Sequence, residues 1–148
     1  MDFTNKSLFL SVQIRGLKIK TMTKSHSDRF VTLVDDAVTR VDEISADEVK
    51  EKLDSGDDFK LIDVREQDEW NKSHISGADY IGKGVIERDI EGEVHDQDQE
   101  LVLYCGGGYR SALAADNLQK MGYRNVKSLK GGFSTWTEAG LLIAKEDD

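Results

Sequence analysis

The chain lacks proline altogether and holds a single cysteine among its 148 residues. Without proline, no prolyl isomerisation can slow its folding. With one cysteine, no disulfide can form within the chain, and any second thiol in a reaction must come from another molecule. A lone functional thiol suits a reducing compartment, so the sequence predicts a cytoplasmic protein and argues against a secreted disulfide scaffold.

Long hydrophobic runs are also missing. The apolar stretch at residues 8–12 is interrupted by Gln13 and Arg15. A signal peptide needs an apolar core of about 7–15 residues, and a membrane span needs about 20. We therefore expect residues 1–24 to form a poorly ordered leader. Residues 25–148 are expected to form a single domain, because a chain of this length suits one hydrophobic core.

Basic residues are in the minority. Lysine and arginine number 20 against 29 aspartates and glutamates, which gives a net charge of −9. Such an acidic surface repels nucleic acid and anionic membranes, so neither is expected as a partner. Any anion site must be local, built from backbone and a few basic side chains. One cysteine and scattered histidines give no metal-site spacing, and we expect neither a metal nor a cofactor.

Apolar runs that alternate with helical patterns predict the order of the elements. Ser27 caps a first predicted helix, and a capping box of Ser45 and Glu48 predicts a second over residues 46–53, ended by Gly56. Further helices are predicted over residues 85–90, 110–121 and 132–139, and strands over residues 59–64, 78–81, 100–104 and 125–129. Strands alternating with helices predict an α/β fold, with helices on both faces of a parallel sheet.

The surroundings of Cys105 indicate chemistry. It ends the apolar run at residues 101–104, and three glycines separate it from Tyr109 and a helical stretch. A helix N-terminus presents unpaired N–H groups and partial positive charge, which stabilise an anion and favour the thiolate, the nucleophilic form of cysteine. The alternative is a cysteine that only packs the core. Its position at the strand end, where parallel sheets place ligand sites, favours the reactive thiolate.

Four motifs in order resemble one family. The loop from Cys105 to Ser111 (CGGGYRS) resembles the active-site loop of the rhodanese, or thiosulfate sulfurtransferase, domains. Residues 61–66 (LIDVRE) resemble the family's D-V-R strand end, and Glu69 with residues 74–78 (HISGA) resembles its E-x-x-x-G-H-I-P-G-A segment, although Ser76 replaces the usual proline. Residues 131–136 (GGFSTW) resemble its closing G-G-x-x-x-W. The resemblance covers about residues 41–142.

The resemblance implies a rhodanese-like domain with a central, mostly parallel five-stranded sheet. It also implies a sulfurtransferase that moves a sulfane sulfur from thiosulfate, or a similar small anionic donor, to a thiol or cyanide through a persulfide on Cys105. The loop residues that would hold the donor and the persulfide are Gly106, Gly107, Gly108, Tyr109, Arg110 and Ser111. A rhodanese-like binding or persulfide-carrier module is the first alternative, although the intact cysteine opposes an inactive module.

The length of the loop bears on a second alternative, a cysteine phosphatase or arsenate reductase. Four residues, Gly106 to Tyr109, separate Cys105 from Arg110, whereas the phosphatase pattern is C-x5-R. Three phosphoryl oxygens need a wider ring of N–H groups. The shorter ring favours a single sulfur atom on the cysteine.

Two alternative roles are open for several side chains near the loop. Arg110 lies in a helical first turn, where the helix dipole disfavours a cation; it binds the donor or is a solvated arginine. The Ser111 hydroxyl donates to the sulfur or bonds local backbone, and Tyr109 is expected to form a pocket wall.

Two residues follow the strand before the cysteine strand. The resemblance implies that Asp63 holds neighbouring backbone. Arg65 either forms a structural salt bridge with Glu69, which we favour, or helps to hold the incoming anion. We interpret His74 as structural and not as a general base, because transfer needs no base once the thiolate is formed.

Overall fold

The computed structural model describes residues 25–145 of the chain. The predicted leader, residues 1–24, lies outside the described residues. Within the described part no helix is long and apolar enough to span a bilayer.

A five-stranded sheet forms the centre of the molecule, in the order β1-β6-β5-β2-β4. Its strands are β1 (Asp42–Ile44), β2 (Lys60–Asp63), β4 (Asp79–Tyr80), β5 (Leu101–Tyr104) and β6 (Val126–Leu129). Every neighbouring pair runs parallel. The two remaining strands, β3 (His74–Ile75) and β7 (Ile143–Ala144), form a separate antiparallel ribbon. The predicted parallel, five-stranded α/β architecture is confirmed.

Helices cover both faces of this sheet. They are α1 (Asp28–Val38), α2 (Ala46–Ser55), α3 (Gln67–Lys72), α4 (Ile86–Glu93), α5 (Tyr109–Lys120) and α6 (Gly132–Glu138). Helices α4 and α5 contribute buried residues to one apolar core, whereas α2 and α6 contribute to the other. The predicted helices and strands agree with the observed ones to within a few residues at each end.

The central strand β5 supplies both cores. Its side chains alternate, as the pleat of a strand requires: Leu101 and Leu103 belong to the core with α5, and Val102 and Tyr104 to the core with α6. All four are fully buried. A strand buried on both faces reads as a continuous apolar run, which is the expected pattern for the centre of a parallel sheet.

Polar caps fix the helix ends as predicted. Ser27 accepts a hydrogen bond from the N–H of Phe30 at the start of α1. Ser45 and Glu48 form a reciprocal capping box on α2, and Gly56 ends that helix at a φ of 69°. Caps of this kind typically contribute about 1 kcal/mol each to stability.

Helix α1 packs along α5 and is tied to it by an ion pair. Val34 and Ala37 are its buried residues. Beyond its end, Arg40 donates two hydrogen bonds to Asp116 of α5, at 3.0 and 2.9 Å. The guanidinium of Arg40 lowers the pKa of Asp116, so this carboxylate stays charged to unusually low pH. Residues 28–40 are thereby joined to the helix that follows the cysteine loop.

Candidate active site

Cys105 directly follows β5, at the carboxyl edge of the parallel sheet, and its residue is 1% exposed. Its Sγ accepts a hydrogen bond from the N–H of Gly108 at 3.1 Å and another from the N–H of Ser111 at 3.4 Å. The Ser111 hydroxyl lies 3.5 Å from the same sulfur. Three polar groups therefore converge on one sulfur atom, and the start of α5 adds the partial positive charge of a helix N-terminus.

Glycine allows the loop to curl around the sulfur. Gly108, which precedes α5, has a φ of 98°, a conformation that side chains with a Cβ disfavour. A Cβ at Gly108 would also lie 3.3 Å from the backbone nitrogen of Gly131. The cysteine loop thus needs glycine at this position for its own turn and for close approach to the next loop.

The turn that opens α6 supports the cysteine loop from the other side. The N–H of Phe133 donates to the carbonyl of Cys105 at 2.7 Å, and the N–H of Ser134 donates to the carbonyl of Gly106 at 3.0 Å. Between these loops Gly132 has a φ of 56°, and a Cβ there would lie 2.4 Å from the Cys105 carbonyl oxygen. These bonds occupy two carbonyls of the loop, whereas the N–H groups of Gly108 and Ser111 are bonded to the sulfur.

Arg110 is held by Glu69 beside the loop. Its two terminal nitrogens donate to the Glu69 carboxylate at 2.8 and 3.3 Å. Both side chains are about one third exposed, at 31% and 33%. A Cβ built at Gly106 would lie 3.1 Å from Arg110 Nη2, which places the guanidinium against the cysteine loop.

A capping box at the start of α3 positions Glu69. Its Oε1 accepts a hydrogen bond from the N–H of Glu66 at 3.0 Å as well as from Arg110. The Arg110 guanidinium lowers the pKa of Glu69, and the Glu69 carboxylate raises that of Arg110. The pair is therefore fully charged at neutral pH.

Arg65 makes different contacts from those expected. The predicted pairing of Arg65 with Glu69 is wrong: Arg65 donates to Asp63 through Nε and Nη2, at 2.8 to 3.1 Å, and to the carbonyl of Ser73 at 2.7 Å. The buried carboxylate of Asp63 also accepts a hydrogen bond from the backbone N–H of Arg65. This bond holds the carboxylate beside the guanidinium, so Arg65 pairs with Asp63 and not with Glu69. The guanidinium lies over the Phe133 ring, 4.2 Å from its centre. Asp63 holds neighbouring backbone, as expected.

Tyr109 forms part of an aromatic cluster with residues at the start of α1. Its ring centre lies 5.7 Å from that of Phe30 and 4.5 Å from that of His26. Beside it an open groove of about 570 Å³ is lined by Gly107, Tyr109 and Lys130, among others. Tyr109 thus walls one side of the loop, while Lys130 is exposed nearby.

His74 contacts a neighbouring tryptophan. Its ring stacks on Trp70 with centres 3.4 Å apart, and its Nδ1 lies 3.1 Å from the Trp70 carbonyl. These contacts agree with the interpretation of His74 as a structural residue. Among residues 25–145 no group of three or more His, Cys, Asp and Glu side chains is arranged to hold a metal ion.

Sequence reasoning missed Ser128, which lies on β6 behind the cysteine. Its hydroxyl is 2.8 Å from that of Ser111, and both serines are fully buried. The signal in the sequence was a serine within the short strand Val126–Leu129, at a position that faces the interior.

Comparison with known proteins identifies a family and several relatives of this chain. The rhodanese-like domain family matches residues 45–139. The chain is 35% identical over 97 residues to a putative sulfur carrier protein of Bacillus subtilis. This alignment covers 66% of this chain and 51% of that protein. It is 34% identical over 96 residues to a putative sulfurtransferase of the same species, with 65% of this chain and 90% of that protein covered. The thiosulfate sulfurtransferase GlpE of Coxiella burnetii is 33% identical over 79 residues, with 53% and 72% covered.

Solved structures share the fold. A protein of unknown function from Rhodopseudomonas palustris, described as a possible tyrosine phosphatase, superposes with a TM-score of 0.72 at 28% identity, over 84% of this chain and all of that one. A thiosulfate sulfurtransferase from Pseudomonas aeruginosa superposes with a TM-score of 0.71 at 24% identity, over 79% of this chain and 22% of that one. The chain spans about half the length of the Bacillus carrier protein, at 51%, and 24% of a related probable adenylyltransferase/sulfurtransferase of Mycobacterium tuberculosis.

Proposed function

Because the chain belongs to the rhodanese-like domain family, we propose that it is a sulfurtransferase that carries a sulfane sulfur as a persulfide on Cys105. The observation that carries this proposal is the convergence of the Gly108 and Ser111 N–H groups on the cysteine sulfur. Backbone N–H groups at a helix start stabilise negative charge, both on a thiolate and on the terminal sulfur of a persulfide. The single thiol suits a reducing compartment such as the cytoplasm.

In the first step the Cys105 thiolate attacks the outer sulfur of thiosulfate or a similar donor. The new bond joins Sγ to the outer sulfur, and the bond from that sulfur to the sulfonate breaks. Sulfite leaves with the electron pair, and the enzyme retains a negatively charged persulfide. No external oxidant or reductant is needed, because one sulfur–sulfur bond replaces another.

In the second step an acceptor nucleophile attacks the outer sulfur of the persulfide. A thiolate would give an acceptor persulfide, and cyanide would give thiocyanate. The electron pair of the broken bond returns to Sγ, which regenerates the thiolate. A covalent intermediate of this kind gives ping-pong kinetics. The acceptor must be a second molecule, since the chain has no other cysteine.

We assign Arg110 to binding the anionic part of the donor. Its guanidinium lies against the loop at Gly106, and Glu69 occupies two of its terminal N–H groups. A guanidinium carries five N–H donors, so others stay available to a sulfonate. Arg65, by contrast, is buried and bonded to Asp63; we assign it to supporting the strand end on which the loop rests.

The size of the loop supports sulfur transfer over phosphate chemistry. Four residues separate Cys105 from Arg110, and two backbone N–H groups already point at Sγ. A phosphoryl group presents three equatorial oxygens that each need donors. The structural relative described as a possible tyrosine phosphatase makes aryl-phosphate hydrolysis the comparison assay for this proposal.

A persulfide carrier for a dedicated partner is the second candidate, and the similarity to a putative sulfur carrier protein supports it. Both candidates load Cys105, and they differ in the second step. A sulfurtransferase turns over repeatedly with thiosulfate and cyanide. A carrier accepts one sulfur and holds it until its partner arrives.

The test is intact mass spectrometry of the protein after incubation with thiosulfate. We expect a mass increase of one sulfur atom, lost again when cyanide is added. The Cys105→Ala variant, treated in the same way, should gain nothing. An unchanged mass for the native chain, with hydrolysis of aryl phosphate, would overturn the proposal in favour of the phosphatase reading.

A further inference from the structure

We propose that Ser128 is a positioning residue for the reacting sulfur, acting through the hydroxyl of Ser111. The proposal rests on the assignment of Cys105 as nucleophile. Three atoms form a buried chain: Ser128 Oγ lies 2.8 Å from Ser111 Oγ, which lies 3.5 Å from Cys105 Sγ. The two serines are fully buried, and Cys105 is 1% exposed.

The sheet topology brings these residues together. Cys105 follows β5, and Ser128 lies on the neighbouring strand β6, where it pairs in register with Leu103. Ser111 lies in the first turn of α5, which packs against both strands. A serine in a first turn often bonds local backbone, whereas the hydroxyl of Ser111 faces the sulfur and Ser128.

Counting the available donors and acceptors indicates which hydroxyl donates in this series of hydrogen bonds. Within residues 25–145, Ser111 is the one hydrogen-bond partner of the Ser128 hydroxyl. If Ser111 donated to Ser128, the proton of Ser128 would have no acceptor, and a buried unsatisfied O–H is unfavourable. If Ser128 donates to Ser111, both protons are used, and the proton of Ser111 points at Sγ. Ser128 thereby makes Ser111 a donor to the sulfur.

A donor aimed at the sulfur favours its anionic form. The Ser111 O–H joins the N–H groups of Gly108 and Ser111 as a further donor to Sγ. The charged guanidinium of Arg110 also faces this sulfur, and it is the same in all the variants compared below. Hydrogen bonds to a charged form stabilise it, and successive hydroxyls in a low-dielectric interior polarise one another. Ser128 therefore stabilises negative charge on Sγ through Ser111, without touching the sulfur.

Alkylation of the thiol by iodoacetamide, followed over pH, tests this directly. Cys105 is the sole cysteine, so the rate reports on this sulfur alone. In Ser128→Ala we expect the profile to move to higher pH by roughly 0.3 to 1 pH unit, which is the effect of losing about one hydrogen bond. Ser55→Ala, which removes an exposed serine at the end of α2, is the matched control and should leave the profile in place.

A double-mutant cycle separates this role from a purely structural one. If Ser128 acts through Ser111, Ser128→Ala should have no further effect on the profile in a Ser111→Ala background. Ser128→Thr, which keeps a hydroxyl, should restore the native profile. Ser128→Val has the shape of threonine without the hydroxyl, so the comparison of these two variants still tests the proposal if Ser128→Ala fails to fold. A native profile in Ser128→Ala, or an equal shift in both backgrounds, would overturn the proposal.

Alkylation requires no sulfur transfer, so the two proposals can fail separately. If Ser128→Ala shifts the profile while thiosulfate adds no sulfur to Cys105, the positioning role of Ser128 is supported and the sulfurtransferase proposal is overturned. If sulfur is transferred but the profile stays in place, Ser128 has no positioning role.

Discussion

Gly132 contacts the carbonyl of Cys105 so closely that a Cβ at this position would lie 2.4 Å from the oxygen. The same turn donates the N–H of Phe133 to that carbonyl. The cysteine loop therefore packs, backbone against backbone, on the turn that opens α6. The position of the nucleophile depends on Gly132 because this residue has no side chain to keep the two loops apart.

Gly132→Ala should displace the cysteine loop. We expect a loss of about 2–5 kcal/mol in stability, from a left-handed backbone conformation and from overpacking, together with about 100-fold slower sulfur transfer because the nucleophile moves. Chemical denaturation and thiosulfate:cyanide assays measure the two effects.

Gly140→Ala is the matched control for that variant. Gly140 also has a positive φ, of 73°, but a Cβ there would meet nothing within 4 Å. It should lose only the conformational part, about 1–2 kcal/mol, and keep its activity. Equal effects in the two variants would show that the contact with Cys105 is unimportant.

Cys105→Ala should abolish sulfur transfer and leave the fold intact. The thiol is the sole candidate nucleophile in the cysteine loop, and the hydrogen bonds that it accepts come from its own loop and helix. The rate of thiocyanate formation and a thermal melt are the measurements. A loss of activity smaller than about tenfold would rule out Cys105 as the nucleophile, because removal of a covalent nucleophile costs several orders of magnitude.

Arg110→Ala should weaken thiosulfate turnover by roughly 10- to 150-fold in kcat/KM, because charge-assisted hydrogen bonds are worth about 1.5–3 kcal/mol. Arg124→Ala is its matched control, since Arg124 forms a carboxylate pair with Asp98 on the exposed surface. Steady-state kinetics of both variants decide the matter. Equal kcat/KM values for the two variants would remove Arg110 from donor binding.

The Arg40–Asp116 pair should stabilise the protein in a pH-dependent way. The pKa of Asp116 is lowered in the folded state by Arg40, so the stabilisation is fully present above the unfolded value, about 3.9, and is lost as pH falls through the folded value. Asp116→Asn should lower Tm by about 2–4 °C at pH 7.

The gap in Tm between Asp116→Asn and the native chain should stay constant above about pH 5 and narrow below about pH 4. Thermal melts across pH 3–7 test this, with Asp98→Asn as an exposed-pair control. A gap that widens in acid would contradict the assignment.

The cysteine loop was predictable because its signals are local. An apolar run, three glycines and a helical stretch occur in sequence, and each has a defined conformation. The caps at Ser27 and Ser45 were predictable for the same reason, because a cap depends on residues within one turn.

Short elements escaped prediction. Strand β1 (Asp42–Ile44) has three residues and one buried side chain, so no alternation is visible. Helix α3 (Gln67–Lys72) has no buried residue at all, and the ribbon of β3 and β7 joins two residues from each of two distant segments. Tertiary pairing, and not local pattern, forms these elements.

The sequence did not reveal which carboxylate pairs with which arginine near the cysteine loop. Arg65 was assigned to Glu69, four residues away, but Glu69 pairs with Arg110 across the loop. Two arginines and two carboxylates allow more than one pairing, and only the fold decides which are adjacent. The contact between Ser111 and Ser128 spans two elements and is invisible in the same way.

The parallel order of the sheet has a consequence for the newly made chain. Strand β1, near the start of the domain, pairs with β6, and β6 also flanks the cysteine strand. The turn that seats the cysteine loop lies later still, at residues 132–134. During synthesis, the cysteine loop therefore gains its support from β6 and from this turn only when the domain is nearly finished.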